Sequence, residues 1–298
     1  MRALVISGGA SKGAFAGGVS EYLICELGRH YDIFCGTSTG SLLVPLLAAG
    51  EVERAKQVYC NVRQTDIFSN CPFVIKKTSK GFRTGFNHAG ILWQFIKGKK
   101  TLGESKSLRQ LIRRTITPEV FATLHARSAE VIITVANLTN NVIEYKYARD
   151  YDYDEFCEWI WISANMVPFM TLVTKNGCEY GDGGFGNLIP IQEAINIGAT
   201  ELDVVILNPR HLTQKMPPST SAFHLLMKGF HFMLHQIGQD DINMALLESR
   251  YTGIKIHLIH TPKLLTDNSF VFDPDQMKGW WQEGYDYARF LFSDSKEE

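Results

Sequence analysis

Apolar positions in this chain fall into short continuous runs separated by stretches with helical spacing. Residues 3–7, Ala-Leu-Val-Ile-Ser, form the first run and end on glycine, which predicts a buried strand feeding a loop. A helix is predicted from about Lys12 to Leu27. Tyr31 to Cys35 repeats the strand signal and enters Gly36-Thr37-Ser38-Thr39-Gly40, after which Ser41 to Ala49 has helical character. Further β-branched runs lie at Val131–Val135, Val142–Tyr145, Leu202–Leu207 and Ile254–Ile259. They alternate with helical stretches near 52–60, 104–116, 154–163, 190–198, 220–248 and 275–292. That alternation predicts an α/β fold, a sheet with helices on its faces. No internal repeat, low-complexity tract or Pro/Gly/Ser linker divides residues 1–298, so the expectation is one domain, with the irregular 61–103 as an insertion or cap.

With 298 residues the chain can bury a sizeable core. Its 30 Lys+Arg nearly cancel its 31 Asp+Glu, and no base-reading motif is present, so no nucleic-acid partner is expected. The six cysteines (Cys25, Cys35, Cys60, Cys71, Cys157, Cys178) are scattered without a C-x-x-C pair and read as reduced and structural. The first apolar run is too short for a signal peptide, and no run approaches the ~18 residues of a spanning helix; the expectation is a soluble cytoplasmic enzyme.

Gly36-Thr37-Ser38-Thr39-Gly40 is a G-x-S-x-G pattern between an apolar strand and an apolar helix. In that context a tight turn exposes a nucleophilic serine at a helix N-terminus, and the glycines remove Cβ atoms that would clash in the turn. The bland alternative is a turn that caps a helix. Ser7-Gly8-Gly9-Ala10-Ser11-Lys12-Gly13 joins the first strand to its helix, so its N–H groups form an anion site. It lacks the Gly-Lys-Ser/Thr of a phosphate-binding loop, since Ala14 follows Gly13, and a dinucleotide fingerprint would need glycine where Ala10 stands. An oxyanion hole remains, with donors from Gly9-Ala10 and the charge of Lys12 supporting the loop; a plain strand-to-helix turn is the alternative.

For a base there are nine histidines to weigh. His257 and His260, with Asp203 as orienter, would complete a Ser-His-Asp triad, although the elbow sits unusually early for that order. His224, His231 and His235 share one helical face with no carboxylate at ligand spacing, which favours packing or an interface over a metal site. Asp182, in Gly181-Asp182-Gly183-Gly184, offers instead a carboxylate on a loop open to close approach.

Gly-Gly-Ala-Ser-Lys-Gly at 8–13, Gly-Thr-Ser-Thr-Gly at 36–40 and Asp-Gly-Gly at 182–184, in that order, resemble the motifs of bacterial patatin-like phospholipases. Softer similarity extends to Lys106-Ser-Leu-Arg-Gln-Leu, Ser163–Pro168, Asn187 and Pro190, so the likeness spans most of 1–210 and fades over 211–298. The resemblance implies a three-layer α/β/α fold with a mostly parallel central sheet. It also implies a lipid acyl hydrolase of phospholipase A or lysophospholipase type, working without metal or cofactor through a Ser–Asp dyad. By position, Ser38 becomes the nucleophile, Asp182 the base, and Gly8, Gly9, Ala10, Lys12 and Gly13 the oxyanion loop. Ala10 replaces a usual glycine, keeping the N–H but narrowing its backbone angles. Ala164 stands where the family often has serine. If the first two strands are neighbours, a right-handed crossover brings both helix N-termini to one sheet edge.

Residues 76–114 hold eleven basic side chains (Lys76, Lys77, Lys80, Arg83, Lys97, Lys99, Lys100, Lys106, Arg109, Arg113, Arg114) against Glu104 alone. Interleaved with Phe82, Phe86, Trp93 and Phe95, the segment reads either as a peripheral contact with anionic membrane or as a solvated face over core aromatics. Phe223, Leu226, Met227, Phe230, Met233 and Leu234 mark 220–248 as a wall for an acyl chain or as core packing. A catalytically silent lipid-binding protein is the alternative from outside enzymes.

Overall fold

The computed structural model describes residues 1–79, 81–127, 129–210 and 218–293. Its strands are β1 (Arg2–Ile6), β2 (Ile33–Thr37), β3 (Phe73–Thr78), β4 (Gly81–Phe86), β5 (Glu130–Asn137), β6 (Val142–Tyr147), β7 (Val173–Lys175), β8 (Cys178–Asp182), β9 (Glu201–Ile206) and β10 (Lys255–His260). The helices are α1 (Gly13–Glu21), α2 (Thr39–Ala49), α3 (Val52–Asn61), α4 (Gln64–Ile67), α5 (His88–Ile96), α6 (Lys106–Thr115), α7 (Pro118–Ala126), α8 (Tyr153–Ser163), α9 (Ile191–Asn196), α10 (Ala222–Thr252) and α11 (Pro274–Phe292).

Strands β10, β9, β1, β2 and β5 run parallel in that order, and β6 and β8 pair antiparallel with β5, followed by β7. Because side chains alternate along a strand, β1 buries Leu4 and Ile6 on one face against Phe15 and Trp281, and Ala3 and Val5 on the other against Leu188, Ile191 and Ile242. Both faces are covered, which is why these strands read as continuous apolar runs. This is the expected three-layer α/β/α arrangement with a mostly parallel sheet.

The register sets the site. Ile6 pairs with Gly36, Thr37 with Thr134, and Val135 with Asp182. The carboxyl ends of β1, β2 and β8 therefore reach one edge, and α1 and α2 begin there. Asp182 closes a strand rather than sitting on the loop expected for it.

The segment 61–103 is not irregular. It holds α4, a hairpin of β3 and β4, and α5. The inner face of the hairpin packs aromatic rings: Phe73 lies 5.4 Å from Phe270 and Phe86 lies 4.7 Å from Phe223, centroid to centroid. Much of the basic stretch is paired with acids. Lys77 reaches Asp273 and Asp275, Lys100 reaches Glu179 at 2.8 Å, Arg109 reaches Glu158 at 3.0 Å and Arg113 reaches Asp154 at 2.6 Å. Glu104 takes both Lys99 and Lys106. The acids come from distant parts of the chain, which a local charge count does not see. Lys80 lies outside the described residues.

Candidate active site

Ser38 stands between β2 and α2 with φ 55° and ψ −118°. Non-glycine residues reach positive φ only where surrounding structure holds them. Two things hold this one. A Cβ on Gly40 would sit 2.2 Å from the Ile6 carbonyl oxygen, and one on Gly36 would sit 2.4 Å from the Gly40 carbonyl carbon, so the flanking positions close the turn tightly. In addition, the Ser38 N–H donates to Ser163 Oγ at 3.1 Å.

Asp182 is 1% exposed and lies within hydrogen-bonding reach of the Ser38 hydroxyl. Its Oδ1 accepts the Gly184 N–H at 2.8 Å. Burial raises its pKa from 3.8 to about 7, against the opposing pull of those two hydrogen bonds. A carboxyl poised there takes up and releases protons near neutrality.

The 8–13 loop lies against this pair, and a Cβ on Gly8 would come 3.3 Å from Ser38 Cβ. Its N–H groups are not equivalent. Gly8 N–H donates to the Leu188 carbonyl at 3.0 Å, Ser11 N–H to Ser269, Lys12 N–H to Gly9, and Gly13 N–H back to Ala10 and Ser11. The N–H groups of Gly9 and Ala10 have no hydrogen-bond partner among the described residues, and both residues border the cavity beside Ser38. Ala10 takes φ 50°, so the methyl that replaces a family glycine sits in the left-handed region that favours glycine. The Lys12 ammonium turns away to the Leu207 carbonyl at 2.6 Å and Asn208 Oδ1 at 2.8 Å. Burial without a carboxylate partner lowers its pKa to about 8.

A cavity of about 270 Å³ opens over this edge. Ser38, Asp182, Gly9 and Ala10 form its polar end, and Leu46, Ile112, Met166, Phe230, Phe272 and Met277 are among its apolar walls. Met227 and Leu234 of α10 also line it, so this helix serves as a cavity wall, while Phe223 is buried against the hairpin and Met233 is exposed. His231 and His235, for which sequence spacing favoured packing or an interface, also face this cavity. Burial, with Lys12 nearby, lowers the His231 pKa to about 4, so the imidazole is neutral at pH 7.

The alternative triad is not assembled. Asp203 is engaged by Arg29 at 2.6 Å and the Tyr31 hydroxyl at 2.7 Å. His257 lies 3.6 Å from Glu201, His260 lies 3.1 Å from the Asn208 carbonyl, and neither lines the Ser38 cavity.

Residues 4–195, which contain all three motifs, match the family model described as patatin-like phospholipase. The chain belongs to the patatin-like phospholipase family. Membership of a patatin-like family carries lipid ester hydrolysis as its coarse activity. The crystal structure of VipD from Legionella pneumophila matches with a TM-score of 0.54 at 14% identity, covering 98% of this chain and 67% of that one. At that identity the likeness is one of fold. No curated protein matches the chain. Among the described residues, no helix of this patatin-like chain is long and apolar enough to cross a membrane.

Proposed function

We propose that the protein hydrolyses the carboxylic esters of lipids by acyl transfer through Ser38, as a phospholipase A or lysophospholipase. The observation that carries this reading is the Ser38–Asp182 contact at the polar end of an apolar cavity, beside the unengaged N–H groups of Gly9 and Ala10. The Ser38 oxygen attacks the ester carbonyl as its proton passes to Asp182. The tetrahedral oxyanion accepts hydrogen bonds from Gly9 and Ala10, at the start of a helix whose dipole favours negative charge. Collapse expels the alcohol, which takes the proton from Asp182 and leaves an acyl ester on Ser38. Asp182 then accepts a proton from water as its oxygen attacks the acyl carbonyl, and collapse of this second intermediate returns the proton to the Ser38 oxygen and releases the fatty acid. Gly8 and Gly13 shape the loop rather than donate, and Lys12 supplies positive charge from beneath it.

The apolar walls favour an acyl chain over a polar ester. The test is fatty-acid release from phospholipid and neutral-lipid vesicles by wild type, Ser38→Ala and Asp182→Asn. Release by wild type that both substitutions abolish, with fold intact, is the expected result, and the lipid preferred names the substrate. No release from any lipid by a folded protein overturns the reading.

A further inference from the structure

Helix α5 is built inside out. Its buried residue is the polar Gln94, 3% exposed, whereas Leu92, Trp93, Phe95 and Ile96 stand 50–67% exposed. A helix of a folded domain ordinarily turns its apolar stripe toward the core. An outward apolar cluster marks a surface that something else covers.

The charges of α5 and of the hairpin that precedes it narrow what that is. No residue from 73 to 96 is acidic. The Lys97 ammonium lies over the Trp93 ring at 4.9 Å, at the end of the apolar face. On the exposed face of the hairpin, Lys76 and Arg83 are direct cross-strand partners. Like charges in that position repel, and no carboxylate of the described residues lies within ion-pairing distance of either. Six of the described cations of 76–114 pair with acids, whereas Lys76, Arg83, Lys97 and Arg114 do not, and the first three of these belong to the hairpin and the end of α5.

We propose that α5 and the outer face of the β3–β4 hairpin dock the protein on an anionic lipid bilayer. Leu92, Trp93, Phe95 and Ile96 enter the headgroup region, and Lys76, Arg83 and Lys97 meet anionic headgroups. Exposed apolar side chains with Lys97 at their end, and a preceding hairpin that carries the unpaired Lys76 and Arg83, match a bilayer surface in both of its attractive terms. The patch is also continuous with the site: the inner face of the hairpin rests on Phe270, and Phe270 lines the Ser38 cavity. Docking there would hold the cavity wall beside the bilayer. The purpose of the surface rests on the lipid-hydrolase reading, but its existence is measurable without turnover.

Trp93 makes that measurement specific. Of the five tryptophans, Trp159, Trp161, Trp280 and Trp281 are buried and Trp93 is 56% exposed. Ser38→Ala protein is titrated with vesicles of phosphatidylcholine containing about one-third phosphatidylglycerol, and with phosphatidylcholine alone. The expected result is a blue shift of Trp93 emission and its quenching by brominated acyl chains, with binding at least about tenfold tighter on the anionic vesicles. Phe95→Ser with Ile96→Ser, at exposed positions, should lower binding about tenfold while the protein still melts cooperatively. Lys76→Glu with Arg83→Glu should remove the preference for phosphatidylglycerol. A folded protein whose Trp93 emission ignores anionic vesicles overturns the proposal. So does a dimer in sedimentation that Phe95→Ser dissociates, which would assign the face to a second copy of the chain. Trp93 insertion in a protein that cleaves no lipid would sink the hydrolase reading and leave the docking surface standing.

Discussion

The backbone N–H of Ser38 donates to Ser163 Oγ at 3.1 Å, and that hydroxyl donates in turn to the Thr134 carbonyl at 2.6 Å. One side chain at the end of α8 thus ties the strained nucleophile turn to β5, the strand whose next residue pairs with Asp182. Ser163→Ala leaves a buried N–H and a buried carbonyl without partners, at a cost of about 2 kcal/mol. It also frees Ser38 to leave its positive φ. Urea denaturation should register the lost stability, and labelling of Ser38 by a fluorophosphonate should slow about tenfold. Labelling at the wild-type rate would mean that the turn is held without Ser163.

The raised pKa of Asp182 gives activity and stability opposite pH dependences. The dyad needs the carboxylate, so labelling of Ser38 should climb with pH up to about 7 and then level, and decline again once Lys12 loses its charge above about 8. Stability runs the other way. A carboxyl whose folded pKa lies above its unfolded value of 3.8 contributes stability that is fully present below 3.8 and is lost as pH rises through about 7. Asp182→Asn removes that loss. It should abolish lipid hydrolysis yet raise stability at pH 8 by on the order of 3 kcal/mol. Thermal melts of both proteins at pH 5 and pH 8, as round test values on either side of the transition, compare the two. A substitution that destabilises equally at both would mean that the carboxylate is not disfavoured by burial.

Ala10 pays a backbone penalty at φ 50° that glycine would not. Ala10→Gly should therefore stabilise the protein by about 1 kcal/mol, since strain relief exceeds the added unfolded-state entropy. The N–H survives the change, so ester hydrolysis should stay within about twofold of wild type. Ala10→Val tests the opposite direction, because a β-branched residue is an outlier at positive φ and should cost both stability and activity. Equal melting temperatures for the alanine and glycine forms would remove the case for strain at this position.

The strand–loop–helix units around Gly8 and Ser38 are legible in the sequence because both faces of β1 and β2 are buried, giving unbroken apolar runs that stop at glycine. Ser38, Asp182, Gly9 and Ala10 come from motifs whose spacing survives translation into geometry. Other features needed the third dimension. The β7–β8 hairpin escaped because β7 has three residues, although Asn176-Gly177, both at positive φ, is a hairpin-turn signal. Helix α7 announces itself only by Thr117 and Pro118, its N-cap and first-turn proline. The surplus of cations over 76–114 is partly offset by acids from 154–179 and 273–275, a pairing that no local window contains. The shared face of His231 and His235 is visible in their spacing, but not that the face looks into a cavity.

Asp241 has no sequence signature at all, yet it holds the second half of the site together. From α10 its carboxylate accepts Asn187 Nδ2 at 2.8 Å and the N–H groups of Leu188 and Ile189, both at 2.9 Å. That short segment then reaches both catalytic loops: the Leu188 carbonyl takes the Gly8 N–H at 3.0 Å, and the Asn187 carbonyl takes the Thr37 hydroxyl at 3.1 Å. Removing the carboxylate orphans three donors in a largely buried setting, so Asp241→Ala should cost about 3 kcal/mol in urea denaturation. Asp241→Asn should cost less, because its amide oxygen still accepts while its NH2 opposes the two backbone donors. Both should also slow fluorophosphonate labelling of Ser38, whereas Ser38→Ala should keep wild-type stability, which separates a positioning residue from the nucleophile it serves. If Asp241→Ala is no more than about 1 kcal/mol less stable than wild type and Ser38 labels at an unchanged rate, the 187–189 segment is held by its packing against Gly238 and α10 and the carboxylate is dispensable.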